Sequence, residues 1–158
     1  MNGKPVENAV KPEWEDMQVL LRFGLGYLTR ASFLLLRIRD RAAARAWLAA
    51  APVTSAVVTE PRPMTVLQVA LTSEGLRALG VAPDVVDGFS NEYVNGMSGD
   101  PGRSRRLGDV AASDPRNWGW GAGEQVPHLL LMLYAAPGQL EGFEQSIRGQ
   151  IDAGFAEV

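Results

Sequence analysis

Residues 31–51 read ASFLLLRIRDRAAARAWLAAA, and the change of pattern half-way through them decides the fold class. The first ten, Ala31–Asp40, are a short apolar run that ends in charge, the pattern of a strand buried in a sheet. Asp40 then stands where a helix N-cap belongs, and strong helix formers follow it to Ala51. Trp47 and Leu48 give that helix a side to bury, and Pro52, with no N–H to donate, stops it. A core strand feeding straight into such a helix implies a sheet with helices packed on it.

The alternation continues downstream. Val53–Val58 (VTSAVV) carries β-branched residues and Met64–Thr72 (MTVLQVALT) alternates apolar and polar positions, so two strands joined by the proline-rich TEPRP are expected. TSEGLRALGV, Thr72–Val81, opens with a hydroxyl cap and an acid in its first turn and closes at Gly80, as a short helix does. Two further helical pieces, at 83–89 and 91–99, are too rich in glycine to stand alone. PHLLLMLYAA, Pro127–Ala136, is an apolar run of strand length. Over 138–155, Leu140, Phe143, Ile147 and Ile151 recur at the three- and four-residue spacing of an amphipathic helix. Ser104–Trp120 (SRRLGDVAASDPRNWGW) reads as an irregular connection, longer than the about 12 to 15 residues at which structureless loops become uncommon. The order β-α-β-β-α-β-α suits an α+β, ferredoxin-like sandwich, an antiparallel sheet with helices on one face. Residues 1–16, polar and holding Pro5 and Pro12, read as a flexible arm before a single domain over 17–158.

Composition removes several functions. A chain of 158 residues is long enough to bury roughly 68 to 70% of its unfolded surface in one domain. Having no cysteine, it has no disulfide, thiolate metal site or cysteine nucleophile. A net charge of −3 and a pI near 5.2 argue against a nucleic-acid partner, which needs a clustered basic field. No apolar run approaches the about 20 residues of a membrane-spanning helix. The polar opening stretch lacks the apolar core of a secretory signal, so a cytoplasmic location is expected.

Candidate chemistry is sparse. The single histidine, His128, has no serine, carboxylate or second histidine at a useful spacing. It reads as a strand-edge residue with local hydrogen bonds in preference to a haem or metal ligand. Gly24 and Gly26 in FGLGYL are placed before the first strand and lack the third glycine of a dinucleotide loop. GDPGRSRR, Gly99–Arg106, has the groups to clamp an anion, against the plainer reading of a solvated loop. Trp118 and Trp120 are suited to stacking on a planar ligand or to anchoring the loop on a core or interface. Asp109 and Asp114 lie near the arginines, where ion pairing or turn bonding accounts for them. No catalytic, cofactor-binding or metal residue is assigned; Arg105, Arg106, Asp109, Trp118 and Trp120 are the candidate interface residues.

Four stretches, in order, resemble the dye-decolourising (DyP-type) haem peroxidases. MQVLLRFGLGYLTRASFLLLRIRDRAAARAWLAA (17–50) resembles the family's opening segment, first strand and alanine-rich helix. LQVALTSEGLRALGV (67–81) is similar to a family stretch in which asparagine is common where Gln68 stands. RRLGDVAASDPRNWGWG (105–121) resembles its L-G-D to P-x-x-W segment, and PHLLLMLYA (127–135) the strand after it. The resemblance runs from Met17 to Val158.

It implies the N-terminal one of two ferredoxin-like halves. The family's haem b sits in the C-terminal half with its histidine ligand and distal arginine, and a distal aspartate belongs to a G-x-x-D-G motif after the first half. That motif is missing: DVVDG, Asp84–Gly88, has Asp84 in place of the first glycine. The chain would close, at AGFAEV, where the family's next strand begins. Haem b is therefore expected for the complete family protein and no cofactor for this chain alone. A sheet face and parts of Leu107–Trp120 would be left for a C-terminal peroxidase half, another protein chain or a second copy in a homo-oligomer. Two functions stay open. One is part of a peroxidase, truncated or split, whose whole reduces hydrogen peroxide at haem iron and oxidises dyes or other aromatic donors. The other is a stand-alone, non-catalytic assembly or partner-binding domain.

Overall fold

The computed structural model describes residues 11–158. Leu34 and Leu36 of β1 (Arg30–Ile38) lie directly opposite Leu131 and Leu129 of β3 (Leu129–Ala135), and all four are at most 3% exposed. Alternation in both strands turns these leucines, with Leu133, to one face. Against them pack Leu67 of β2 (Thr65–Leu71), Ala44, Trp47 and Leu48 of α1 (Arg41–Ala50), and Leu140, Phe143, Ile147 and Ile151 of α6 (Leu140–Ile151). Phe155 of β4 (Phe155–Glu157) completes the layer, its ring edge-on to Trp47 at 5.6 Å. The four strands stand in the order β2-β3-β1-β4, and every neighbouring pair is antiparallel. This is the expected α+β, ferredoxin-like sandwich, with α1 and α6 on one face.

Local signals act as read. Asp40 accepts from the Ala43 N–H to start α1, and Thr72 accepts from the Gly75 N–H to start α2 (Ser73–Ala78). Gly80, at φ +80°, turns the chain out of α2. The short helices α3 (Pro83–Asp87) and α4 (Asn91–Asn95) follow.

Three expectations are corrected. Val53–Val58 is not a strand. Only Thr54 reaches β2, its N–H donating to the Leu67 carbonyl and its hydroxyl accepting from the Leu67 N–H. The next outward position, Val69, is taken by a side chain: the Gln18 amide donates to its carbonyl and accepts its N–H, at 2.8 and 2.7 Å. The Ser104–Trp120 stretch is more ordered than expected, because its first residues belong to a helix, α5 (Pro101–Leu107). Asp100 caps α5 and Gly108, at φ +84°, ends it. Short 3-10 turns follow at Ala111–Ser113 and Pro115–Asn117. Lastly, the helix expected to run to 155 stops at Ile151, and the next residues form β4 on the free edge of β1. With this change the observed order is β-α-β, four short helices, then β-α-β.

Of the arm expected over residues 1–16, residues 1–10 lie outside the described part. The Trp14 carbonyl accepts from the Ala56 N–H, and the Arg22 guanidinium stands 3.8 Å over the Trp14 ring.

Helix α2 is set against the start of β3 with no space between them. A Cβ on Gly75 would lie 1.9 Å from the His128 carbonyl oxygen, whereas one on the exposed Gly149 of α6 meets nothing within 4 Å. Gly75→Ala is expected to destabilise by about 1–3 kcal/mol or more through overpacking. Gly149→Ala is expected to stabilise by about 0.5–1 kcal/mol through helix propensity. Urea unfolding of the two variants beside the parent checks both signs.

Candidate functional site

His128 lies where the chain re-enters the sheet, and its polar groups are committed to neighbouring strands. Its N–H donates to the Leu36 carbonyl at 2.8 Å, and its carbonyl accepts from the Thr72 N–H at 3.1 Å. Its Nδ1 accepts from the Ile38 N–H at 2.9 Å, so in the neutral ring the proton sits on Nε2. A metal-bound histidine needs the opposite arrangement, a bare nitrogen toward the metal and a proton on the other, donated to an acceptor. The imidazole does not fit the role of haem ligand. Burial, and then the charge of Arg37, hold its pKa below the ordinary value. No group of three metal-ligating side chains exists among the described residues.

The candidate interface residues divide into three kinds. Arg105 and Arg106 are exposed in the last turn of α5, where positive charge suits the helix dipole. Asp109 is half-buried just beyond, its N–H on the Ser104 carbonyl. Trp118 is turned inward on its own loop: its Nε1 donates to the Ser113 carbonyl at 2.8 Å, beside Asn117, which donates to the Ala111 carbonyl. Trp120 alone offers a free ring, 55% exposed. The structure thus brings the two arginines and Asp109 to one helix end and assigns the tryptophans different tasks. Arg116 grips Asp114 through two hydrogen bonds of 2.9 and 2.8 Å and holds that carboxyl at about 2.

Arg103, which lies within Gly99–Arg106 but is not among the candidate interface residues, is the arginine that is built in. Its side chain is 15% exposed, donates to the Gly96 carbonyl at 2.5 Å and faces Glu92 at 3.6 Å, tying α5 to α4. Its place on the capped helix begun by Asp100 and Pro101 was the available signal.

The second face of the sheet is partly bare. Residues 19–28 cover one side of it: Val19, Leu25 and Leu28 pack with Val66, and the Leu20 N–H reaches the fully buried Gln68. Beyond this cover lie Phe33, 56% exposed, and the half-buried Leu35, Leu130 and Met132, paired across β1 and β3 as Phe33 with Met132 and Leu35 with Leu130. The Arg37 guanidinium, bonded to the Glu124 carbonyl, borders that area. Three clefts also indent the surface: between residues 19–27 and 54–63, beside α6 at Arg30 and Glu144, and between α6 and β4. His128 lines none of them.

No protein-family model matches the sequence, and no curated protein matches it. Solved structures do. The chain is similar to a fungal DyP-type peroxidase from Auricularia auricula-judae, with a TM-score of 0.69 and 20% identity, over 95% of this chain and 33% of that one. Its fold is that of one third of a DyP-type peroxidase. A dye-decolorizing peroxidase in complex with 2,6-dimethoxyphenol gives a TM-score of 0.68 at 16% identity, over 94% of this chain and 33% of its own. AauDyP in complex with imidazole gives 0.69 and 19%, over 92% and 32%. The chain thus spans about a third of the length of these peroxidases. No helix of the described residues is long and apolar enough to cross a membrane.

Two titrations check the electrostatics. Because the folded state lowers the His128 pKa, the unfolded chain takes up the proton first, and stability falls as pH drops below about 6.5 until the folded ring itself protonates. His128→Asn, an acceptor that does not titrate, is expected to remove most of that slope between about pH 7 and 5 in urea melts. Arg116→Gln is expected to return Asp114 from about 2 toward its ordinary 3.8, read from its carboxyl carbon by NMR.

Proposed function

We propose that this chain is the N-terminal ferredoxin-like part of a DyP-type haem peroxidase. The complete protein, with haem b in its other half, would carry out peroxide-dependent oxidation of dyes or other aromatic donors. The observation that carries this reading is the match of nearly the whole chain to one third of several such peroxidases. The bare apolar strip through Phe33, Leu35, Leu130 and Met132 supports it, since an exposed apolar area of this kind marks a surface that another body covers.

The chain's own residues contribute shape. The leucine core makes a rigid sheet, and the strip gives a C-terminal peroxidase half, or another chain, a face to pack on. Arg105, Arg106, Asp109 and Trp120 supply further polar and aromatic contacts, and Trp118 holds the loop that carries Trp120. The reading gives the chain no haem ligand and no catalytic residue: its one imidazole carries its proton on the nitrogen that a ligand would leave bare. A cytoplasmic location is part of the proposal.

Haemin added to the purified chain is expected to give neither a Soret band nor peroxide-dependent dye bleaching. The DNA beyond the Val158 codon, or a neighbouring frame, is expected to encode G-x-x-D-G and a later histidine. Its product, co-expressed, should co-purify with the chain as a haem protein, and Phe33→Asp should break that complex. A Soret band with turnover on the chain alone overturns the inactivity. If no such frame exists and the chain self-associates through Phe33, the stand-alone assembly domain is the correct reading.

A further inference from the structure

The cleft between residues 19–27 and 54–63 is a built cavity. Its volume is about 330 Å³, within the about 300–1,000 Å³ of small-molecule sites. Val19, Phe23, Leu25, Val57, Val58 and Pro63 make its walls apolar. Hydrogen bonds tie the two walls together: the Val19 N–H to the Thr54 carbonyl at 3.0 Å, the Ala56 N–H to the Met17 carbonyl at 2.7 Å, and Arg22 to the Ala56 carbonyl at 2.9 Å. The cleft therefore holds its shape without an occupant, which keeps the entropy cost of binding low.

Two charged side chains line it, Glu60 and Arg62. The Arg62 guanidinium lies over the face of the Tyr27 ring at 5.6 Å, and among the described residues it has no carboxylate within 4 Å. Arg22, the other arginine of the region, is occupied by Trp14, Phe23 and the Ala56 carbonyl. A planar guanidinium fork held on an aromatic face matches a carboxylate with two parallel hydrogen bonds. Glu60 repels any anion placed beside it, so a carboxylate is directed to Arg62 and away from Glu60. Phe23 and Tyr27 add aromatic surface to the lining for a flat apolar body. We infer that this cleft binds a small apolar monocarboxylate with an aromatic body, its carboxylate on Arg62 and its rings between Phe23 and the valines. The site belongs to this chain alone and does not rest on the peroxidase reading.

Gly24 provides a plug for the test: it lines the cleft, and a Cβ there meets no atom within 4 Å, so a side chain starts there without a clash. The probe is 2-naphthoate, with 2-naphthamide as its neutral counterpart, titrated into the full chain by calorimetry and by amide NMR. Naphthoate is expected to bind more tightly than naphthamide and to shift resonances confined to 19–27 and 54–63. Arg62→Gln should weaken naphthoate about tenfold or more and leave naphthamide unchanged. Gly24→Leu should abolish both while keeping the parent's NMR spectrum elsewhere. No binding up to millimolar concentration, shifts centred on another surface, or naphthoate affinity unmoved by both variants would overturn the site. Equal affinity for the acid and the amide would overturn the role of Arg62.

Discussion

The joint at His128 is the constraint on which the rest of the fold depends. The chain leaves the sheet after Leu71, makes four short helices and returns at Leu129, directly opposite Leu71 and Leu36 at once. Closing so long an excursion costs chain entropy. At the joint, the His128 peptide bonds β1 on one side and Thr72 on the other, its ring takes the Ile38 N–H, and the Thr72 hydroxyl reaches the Pro127 carbonyl at 2.8 Å. The register of β3 with both neighbours is fixed here. A slip of one residue would turn Leu129, Leu131 and Leu133 out of the helical face and onto the bare one. The chain's one imidazole is thus explained as a structural residue.

What could be read in the sequence was what local chemistry decides. The Asp40 and Thr72 caps, the Gly80 turn, the Leu-rich run of β3 and the spacing in α6 each carry their instruction within a few residues. With the apolar strands read over 31–40 and 64–72 they led to the fold class, although the order counted Val53–Val58 as a strand and lacked β4. What escaped was decided at a distance. Thr54 has a strand former's neighbours, yet its ladder stops because the Gln18 amide, far away in sequence, takes the next place on β2. β4 is three residues long, too short for alternation to show. The α5 helix is a different miss, since Asp100, Pro101 and Gly108 mark its ends and the arginines between them drew the attention. At the candidate surface, the arginines and tryptophans were legible as polar and aromatic groups. Only the structure separates Trp118, which braces its own loop, from Trp120, which faces outward.

The two faces of the sheet have different fates. One is sealed by α1 and α6, and its leucines have no further partner to seek. The other is closed by residues 19–28 over Val66 and Gln68 and left bare at Phe33. The same segment does double service, for its outer side forms one wall of the cleft with Arg62. A short irregular stretch thereby sets both how much of the sheet another body is able to touch and whether a small molecule finds a seat beside it.

The outward side of β2 bears on how the chain behaves in a crowded solution. Its outward backbone groups are already met: Leu67 by the Thr54 N–H and hydroxyl, Val69 by the Gln18 amide, and the Leu71 carbonyl by the Tyr93 hydroxyl at 2.9 Å. An incoming strand from another molecule finds these positions filled, whereas at the opposite margin of the sheet β4 covers only Leu36–Ile38 of β1. Growth by adding strands, the route to fibrils, is therefore obstructed along β2. A sheet with an apolar strip on one face is thereby closed, along this margin, to the edge-to-edge pairing by which such strips become aggregates.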